Sequence, residues 1–361
     1  MSTIAEQKCP SCGAAMRFDP TLGKLVCDYC GGSMEIPQER PEEVPEDVTV
    51  QGIDFDTLQA QVTDANAENL PIYICVSCSA EVIAPQEQFA LTCPYCGNNI
   101  VLTNKIAGKL RPNGVIPFKI DKKHLPESMT AFYKDKKLLP KRFFSESAMS
   151  KVTGVYVPFW IFDGRLSGVM NFSAERSSTH RSGDYEVTET SHFRVGRDVD
   201  LTFANVPVDA SGRIEDRLMD AMEPFGMEEA KPFDMRYLAG FTADRFDLEK
   251  DDVAPRAEQR MAASAERAVS ATLAGEYSNV RRLNGELRAA LNAKYMLLPV
   301  YLFSIQYGGK SYPFAVNGQT GRAAGDVPTD KKVSLRYFLL RMGVVAAAVA
   351  AFMIIRYLLG R

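Results

Sequence analysis

Eight cysteines in four CxxC pairs are the residues of this chain whose types and spacing could do chemistry. Each CxxC is a tight turn that aims two thiolates at one ion, and a second pair roughly 15 residues away completes a tetrahedral shell. Four soft ligands favour zinc, and a closed shell leaves no position open for catalysis. The predicted ligands of two structural Zn²⁺ ions are Cys9, Cys12, Cys27 and Cys30 for the first site and Cys75, Cys78, Cys93 and Cys96 for the second.

The two sets of four cysteines belong to an internal repeat, because each cysteine of the first set recurs 66 positions later. An internal repeat of this kind predicts one small metal domain per unit. The sequence therefore predicts two zinc ribbons, one after the other. Further residues that recur at the same distance include Ser11, Ala14, Tyr29 and Gly31, as Ser77, Ala80, Tyr95 and Gly97.

Two other uses of paired cysteines fit the sequence less well. Disulfides need an oxidising compartment, and the first residues, MSTIAEQK, contain no basic and apolar signal segment. A thioredoxin-like redox pair would lie beside a βαβ pattern, which the flanking sequence does not contain. Structural zinc remains the favoured chemistry.

The charge of the chain is divided unevenly along its length. Residues 1–102 hold 4 Lys and Arg against 15 Asp and Glu, whereas residues 103–142 hold 11 against 3. A nucleic-acid surface needs Lys and Arg to neutralise phosphates, and the second ribbon has neither. The sequence thus predicts that nucleic acid is not the partner. The basic stretch indicates a solvated helix face, an anionic membrane surface or a contact with the acidic linker.

The ribbons are predicted to precede an α+β domain with mostly antiparallel strands. Residues 37–70 form an acidic linker with a short helix over Asp54–Asn69, because three prolines and five acidic residues over 37–47 cannot build a core. The predicted domains are ribbon 1 over 1–36, this linker, ribbon 2 over 71–103, the α+β domain over 104–328 and a transmembrane helix over 337–359.

Within the α+β domain, periodicity predicts strands and helices in alternation. β-branched and aromatic residues predict strands from Val152 onwards, and the polar–apolar alternation of Asp184–Phe203 predicts an antiparallel strand pair. Gly308-Gly309 predicts a hairpin between strands Leu297–Tyr307 and Tyr312–Val316. The predicted helices are Leu125–Leu139, Ile214–Met222 and Pro255–Tyr277.

The C-terminal segment decides the predicted cellular location of the protein. Residues 337–359 span roughly 34 Å as a helix, which matches a hydrocarbon core of roughly 30 Å. More basic residues precede the apolar run than follow it, and the positive-inside rule then leaves the N-terminal part in the cytoplasm. The sequence predicts a single-pass protein of the cell inner membrane. The alternative is a buried C-terminal core helix.

The chain also resembles a known family. The motifs that carry the likeness are the two ribbons, VIPFKI, GVYVPFWIFDG, VPVDAS, LAGFTADRFD, and LLPVYLF with YPFAVNGQTGRAAGDVP, followed by the terminal span. Together they resemble the bacterial membrane-anchored TFIIB-type zinc-ribbon-containing proteins, which are often labelled as related to the primosomal helicase. The resemblance implies a scaffold role in cell-envelope maintenance, with partners of phage-shock-protein-A type or SPFH type. It implies no catalytic residues and maps the metal ligands onto the eight cysteines.

Three classes of function follow from these features. The favoured one is a membrane-tethered zinc-ribbon adaptor that binds other proteins and that could form homo-oligomers. The alternative is a nucleic-acid-binding ribbon protein, although the P-loop that a helicase needs is missing from the sequence. An enzyme is not expected, because the three histidines form no nucleophile–base or HExxH pattern.

Overall fold

The computed structural model describes most of the chain outside the linker between the ribbons. The predicted linker over 37–70, its helix over Asp54–Asn69, Cys96, and residues 101–111 of the basic stretch lie outside the described residues. The described residues are 8–36, 72–75, 77–83, 91–93, 95, 99–100, 112–134, 136, 138–140, 143, 152–329 and 331–359.

The first ribbon is a small antiparallel sheet in the order β1-β2-β3. Its strands alternate between more and less buried side chains, as expected where one face packs on a core. Phe18 and Leu25 are buried on that face. The strands are β1 (Met16–Asp19), β2 (Lys24–Cys27) and β3 (Ser33–Met34).

The second ribbon repeats this arrangement, with β4 pairing β5 and β6 pairing β7, both antiparallel. A shift of 66 residues carries β3 onto β7 and overlaps β1 with β5 and β2 with β6. The structure therefore supports the internal repeat seen in the sequence. The strands are β4 (Ile72–Ile74), β5 (Glu81–Ile83), β6 (Leu91–Thr92) and β7 (Asn99–Ile100).

The large sheet contains ten strands, two of which, β4 and β5, come from the second ribbon. Its order is β11-β8-β13-β9-β12-β5-β4, with β10 also pairing β9, and β14 joining β13 to β15. All pairings are antiparallel except β12 with β9 and β13 with β8, in agreement with the prediction. The remaining strands are β8 (Gly114–Val115), β9 (Thr153–Ser182), β10 (Tyr185–Asp209), β11 (Lys231–Pro232), β12 (Thr242–Asp244), β13 (Ser278–Tyr307), β14 (Lys310–Asn317) and β15 (Ala323–Gly325).

Three of these strands continue far beyond the core as an arm, made of residues 164–182 of β9, 185–203 of β10 and 278–291 of β13. At about 3.3 Å per residue the arm is roughly 60 Å long. Two glycines let its strands approach closely. A Cβ on Gly168 would lie 2.0 Å from the Glu286 carbonyl oxygen, and one on Gly285 would lie 2.1 Å from that of Val169.

One face of the arm is apolar and packs on a long helix, while the other face is polar. Met170 and Phe172 lie buried between the strands and the helix residues Ala265 and Leu273. On the polar face, Arg165 donates two hydrogen bonds to Asp200, at 2.6 and 2.5 Å. The helices are α1 (Leu125–Tyr133), α2 (Asp216–Asp220), α3 (Lys250–Leu273), which packs on the arm, and α4 (Lys331–Leu359).

Several predicted boundaries differ from the observed ones. Asp184–Phe203 is not a strand pair but one strand, β10, whose partner is β9. β13 begins 19 residues before the predicted Leu297, since its first part belongs to the arm. α3 begins at Lys250 rather than Pro255, because Glu249 and Asp252 form a capping box upstream of the proline. α1 ends at Tyr133 instead of Leu139.

The C-terminal helix α4 is long and apolar enough to cross a membrane. Its span Val333–Arg356 has 24 residues and contains an 18-residue stretch with a mean hydropathy of 2.4, none of which is buried against the rest of the protein. A core helix of a soluble domain would be mostly buried. The alternative of a buried C-terminal helix therefore does not describe α4.

Candidate metal centres and their docking onto the sheet

The four cysteines of the first ribbon meet at one point. Their Sγ atoms all lie within 4.8 Å of one another, with Cys9 to Cys30 at 3.4 Å and Cys12 to Cys27 at 3.5 Å. A tetrahedral zinc with bonds of about 2.3 Å separates its sulfur ligands by roughly 3.8 Å. The cluster thus has the dimensions that such an ion requires.

Backbone turns hold these thiols, and hydrogen bonds prepare the Cys9 thiol for a cation. Gly13 N–H donates to the Cys9 carbonyl, and Gly31 N–H donates to that of Cys27, at 2.8 and 2.9 Å. The backbone N–H of Ser11, followed by the Cys30 side chain, lowers the pKa of the Cys9 thiol to about 6. Hydrogen bonds of this kind favour the thiolate, which is the form that binds a metal.

In the second ribbon the structure brings together Cys75, Cys78 and Cys93, again within 4.8 Å, while Cys96 lies outside the described residues. Cys78 and Cys93 have their sulfur atoms 3.5 Å apart. These separations exceed the roughly 2.05 Å of a disulfide bond, so the described cysteines form no disulfide bonds with one another. Both clusters are therefore compatible with metal binding.

In each ribbon, the turn after the first CxxC pair requires a positive φ angle. Gly13 adopts φ of 73°, and Ser79, at the equivalent place in the second ribbon, adopts φ of 58°. Glycine accepts this conformation freely, whereas serine is strained in it. The repeat has kept the turn geometry although the residue differs.

The second ribbon is docked through backbone pairing into the large sheet. β5 pairs β12 antiparallel, with Ala243 opposite Ile83 and Asp244 opposite Val82. Beside this pairing, Arg245 forms an ion pair with Glu81. β12 also pairs β9, so the ribbon is continuous with the centre of the sheet.

A buried polar cluster, made of Tyr95, Ser211, Arg213 and Asp244, fixes the same ribbon in place. Tyr95 lies between the two cysteines of its CxxC, and its hydroxyl donates to Oδ2 of Asp244. Ser211 Oγ donates to the same oxygen at 2.9 Å. Arg213 Nη1 lies 3.9 Å from Asp244 Oδ1 and 3.0 Å from Asp247 Oδ2.

Burial dominates the electrostatics of this cluster. Asp244 is fully buried, and burial raises the pKa of its carboxyl to about 7, although Tyr95 and Ser211 act in the opposite direction. Burial, together with the Asp244 charge, holds the pKa of Tyr95 well above its usual range. The phenol therefore stays protonated and remains the donor to Asp244.

The first ribbon docks on the neighbouring stretch of chain in a different way. Phe18 N–H donates to the Ala239 carbonyl at 2.9 Å, and the Phe18 ring meets the edge of Tyr237 with centroids 5.4 Å apart. Its CxxC tip faces solvent, because Tyr29, the counterpart of Tyr95, is 85% exposed. One short segment, 237–245, thus carries both ribbons.

The sequence predicted the cysteines but not the residues that dock the ribbons. Asp244 and Ser211 lie inside two motifs of the family resemblance, LAGFTADRFD and VPVDAS, without a role assigned from the sequence. Tyr95 stands out in the sequence only as a repeated residue. The sequence signal that could identify Asp244 as a docking residue is a carboxylate inside an apolar motif. A charge buried in such a motif needs a polar partner.

Comparisons with known proteins point to one relative. No family model and no solved structure matches the chain. The chain is similar to the uncharacterized protein YdjG of Bacillus subtilis (strain 168), with 32% identity over 358 residues, which cover 99% of each chain. Similarity of this extent includes both ribbons, the large sheet and the terminal helix. The chain belongs to the same family as YdjG.

Proposed function

We propose that this protein is a membrane-tethered zinc-ribbon adaptor that presents a protein-binding platform in the cytoplasm. Its role would lie in cell-envelope or membrane-stress maintenance. The observation that carries the proposal is that the two ends of the large sheet differ. The chain passes to the apolar helix α4 at one end of the sheet, and the arm extends from the other end.

The strand directions show that the chain leaves the sheet for α4 at the end opposite the arm. β13 runs from Ser278 at the arm tip to Tyr307, where a Gly308-Gly309 turn leads into β14. β15 runs back toward that turn, because Ala323 pairs Val316 and Gly325 pairs Phe314. We call the turn end of the sheet the base. The chain therefore moves toward the base just before α4.

The connection between sheet and α4 is short. Val327 still packs against the core, and four residue steps separate it from Lys331 at the start of α4. Four steps span at most about 14 Å. With α4 in a bilayer, the base would be held close to the lipid surface and the arm would be free to reach away from it.

Two structural zinc ions complete the proposal. The cysteine clusters fit an ion of that size, and four thiolate ligands suit zinc better than a harder metal. Zinc would hold each CxxC pair together and would supply folding energy rather than catalysis. Reduced thiols also support the cytoplasmic side of the inner membrane, and Lys331, Lys332 and Arg336 before the apolar run support the same orientation.

Protein partners suit the described surfaces better than nucleic acid does. In the first ribbon, Arg17 pairs with Asp28 and Lys24 pairs with Glu35, so phosphates would compete with existing ion pairs. The polar face of the arm mixes both signs of charge, which suits a protein surface. Following the family resemblance, we propose partners of phage-shock-protein-A or SPFH type, and the arm also offers a surface for a homo-oligomer.

An arm-shortened variant tests the proposal. Deleting residues 178–181 and 186–189 removes four residues from each strand, which pair with one another. The even number preserves which side chains face α3, and the arm becomes roughly 13 Å shorter. The variant should keep its zinc and its membrane attachment but should lose partners of the two named types in purifications from membranes.

Two controls make the result decisive. A Tyr29→Ala variant tests the ribbon tip independently of the arm. A salt series on DNA cellulose tests the nucleic-acid alternative, because phosphate-driven binding falls steeply with salt. Recovery of the same partners by the shortened arm, or salt-dependent retention on DNA by the full chain, would contradict the proposal.

A further inference from the structure

We propose that the base of the sheet is a docking surface for anionic lipid headgroups, formed by a basic patch at the two ends of α1. This inference rests on the proposed membrane attachment and goes beyond it. The attachment alone requires only that α4 crosses the bilayer. The patch would additionally fix which face of the protein lies on the membrane.

The basic patch consists of three lysines that flank α1. Lys123 lies in the 3₁₀ turn that precedes the helix, and Lys134 and Lys136 follow its last residue. All three side chains are exposed, and none forms an ion pair with another described residue. Lys136 lies over the ring of Phe132, 4.8 Å from its centroid. The exposed Glu127 in the first turn of α1 is the one carboxylate among the described residues of the helix itself.

α1 is fixed at the base by its apolar side. Leu125 and Met129 are buried, and the Phe132 ring meets the edge of Phe314 with centroids 5.9 Å apart. Phe314 pairs with Gly325 at the end of β15. The helix therefore lies beside the strand from which the chain leaves for α4, and its C-terminal end, which Lys134 and Lys136 follow, stays near that exit.

Charge complementarity identifies the occupant. Beyond the short connection from Val327, the sequence adds Lys331, Lys332 and Arg336 before the apolar run. The patch and these residues bring positive charge from two parts of the chain to one end of the molecule. Clustered lysines beside a membrane helix attract the negative surface of phosphatidylglycerol-containing or other anionic bilayers.

A photo-crosslinking experiment on the full chain in nanodiscs tests this surface. p-Benzoyl-phenylalanine replaces Ala131, which is exposed on α1, or Thr188 near the arm tip as the matched control. Nanodiscs contain phosphatidylcholine alone or phosphatidylcholine with about 30% phosphatidylglycerol, so that only the second kind carries the negative surface potential that attracts lysines. Lipid adducts are then counted by mass spectrometry.

The expected result has three parts. Position 131 should form about fivefold more lipid adducts in the anionic nanodiscs, the factor that corresponds to about one lysine–lipid contact. The triple variant Lys123→Glu, Lys134→Glu, Lys136→Glu should lose this increase while it retains its metal. Position 188 should give no lipid adducts in either nanodisc.

The opposite results are equally clear. Equal adduct yields with and without phosphatidylglycerol, or yields that the triple variant does not change, would overturn the inference. Crosslinks from position 131 to the acidic linker at 37–47 instead of lipid would overturn it too. Failure of the attachment itself is separate, because a chain without a membrane helix would not enter nanodiscs at all and would be released by carbonate extraction.

Discussion

The two ribbons share a repeat but differ in how they are joined to the rest of the protein. The second ribbon pairs its strand β5 with the large sheet and buries Tyr95 against Asp244. The first ribbon touches the same segment through Phe18 and leaves Tyr29 in solvent. Of two copies of one cysteine-rich ribbon, the second has therefore become a part of the sheet and the first an appendage of it.

Loss of the two candidate metal sites should therefore have different consequences for the molecule. Loss of the second site would disturb β5, which pairs β12, and β12 in turn pairs β9 at the centre of the sheet. Loss of the first would free a surface whose tip is already exposed. The following predictions test this contrast, in order of decreasing effect.

The largest effect is expected from Cys75→Ser compared with Cys9→Ser. Without its metal the second ribbon should withdraw Tyr95 from the buried carboxyl of Asp244 and β5 from its pairing with β12, which costs roughly 3 kcal/mol in total. Cys9→Ser should unfold the first ribbon but cost the sheet only about 1 kcal/mol, the scale of the Phe18–Tyr237 ring contact. Denaturant unfolding can be followed through Trp160, the one tryptophan of the chain.

Trp160 is a suitable reporter because it lies next to the docking segment. Its indole N–H donates to the Leu248 carbonyl at 2.9 Å, and its ring packs against Phe246. Metal content measured on the same samples confirms which site was lost. Equal destabilisation of the Trp160 transition by both substitutions would remove the contrast between the ribbons.

The pH dependence of Asp244 should be the next largest effect. Its pKa is about 7 in the folded protein against an ordinary 3.8. The folded state therefore binds this proton more tightly than the unfolded state, and the stability gained in this way is present below about pH 4 and is lost as pH rises through 7. Asp244→Asn keeps a hydrogen-bond acceptor for Tyr95 but cannot ionise. From pH 6 to pH 8 the variant should gain stability relative to the wild type, by at most about 1.4 kcal/mol per pH unit.

Asp247→Asn is the matched control, since Asp247 contacts the same Arg213 but is partly exposed. Unfolding free energies of all three proteins at constant zinc content provide the measurement. Stability curves of wild type and Asp244→Asn that run parallel from pH 6 to pH 8 would show that burial does not govern this carboxyl.

The two equivalent tyrosines allow a direct comparison at one hydroxyl group. Tyr95→Phe removes one of the two donors to the buried carboxylate of Asp244 and should lower the free energy of unfolding by about 1 kcal/mol, because Ser211 still donates to the same oxygen. Tyr29→Phe changes an exposed side chain and should have an effect within about 0.5 kcal/mol. Thermal unfolding of both variants would measure the difference, and similar shifts for both would contradict the docking contact.

The smallest effect is expected at the strained turn of the second ribbon. Ser79→Gly should stabilise the protein by about 1 kcal/mol, because glycine relieves the positive φ angle. Gly13→Ser should destabilise the first ribbon by a similar amount, since a Cβ there meets open space and only backbone strain counts. The zinc affinity of each ribbon in a chelator competition should move in the same directions. Unchanged affinities would mean that the turn is not strained.

The sequence was sufficient for the local chemistry of the metal sites. CxxC spacing predicted the four cysteines that converge in the first ribbon and the three that the structure describes in the second. Local patterns also identified the hairpin at Gly308-Gly309 and the apolar helix α4, because each depends on residues close in the chain. The family resemblance to TFIIB-type proteins and the adaptor role remain predictions.

The arm and the docking cluster could not be predicted in this way. Ser278–Gly285 has only two apolar side chains, Val280 and Leu283, three positions apart, so it lacks the apolar alternation that marks a half-buried strand. Its stability comes from β9 and α3, which are distant in sequence. The contact of Tyr95 with Asp244 joins residues 149 positions apart. No periodicity within either segment indicates which carboxylate the phenol will meet.

The length of the arm strands has a mechanical consequence. β9 runs without interruption from the base to the arm tip and pairs with β13 along nearly its whole length. A force applied at the tip along the strands would load many backbone hydrogen bonds at once, in shear, instead of opening them one by one. A partner that pulls on the tip would therefore transmit its load to the base, where the chain turns toward α4, with little extension of the arm. In this respect the protein would behave as a stiff lever anchored at one end.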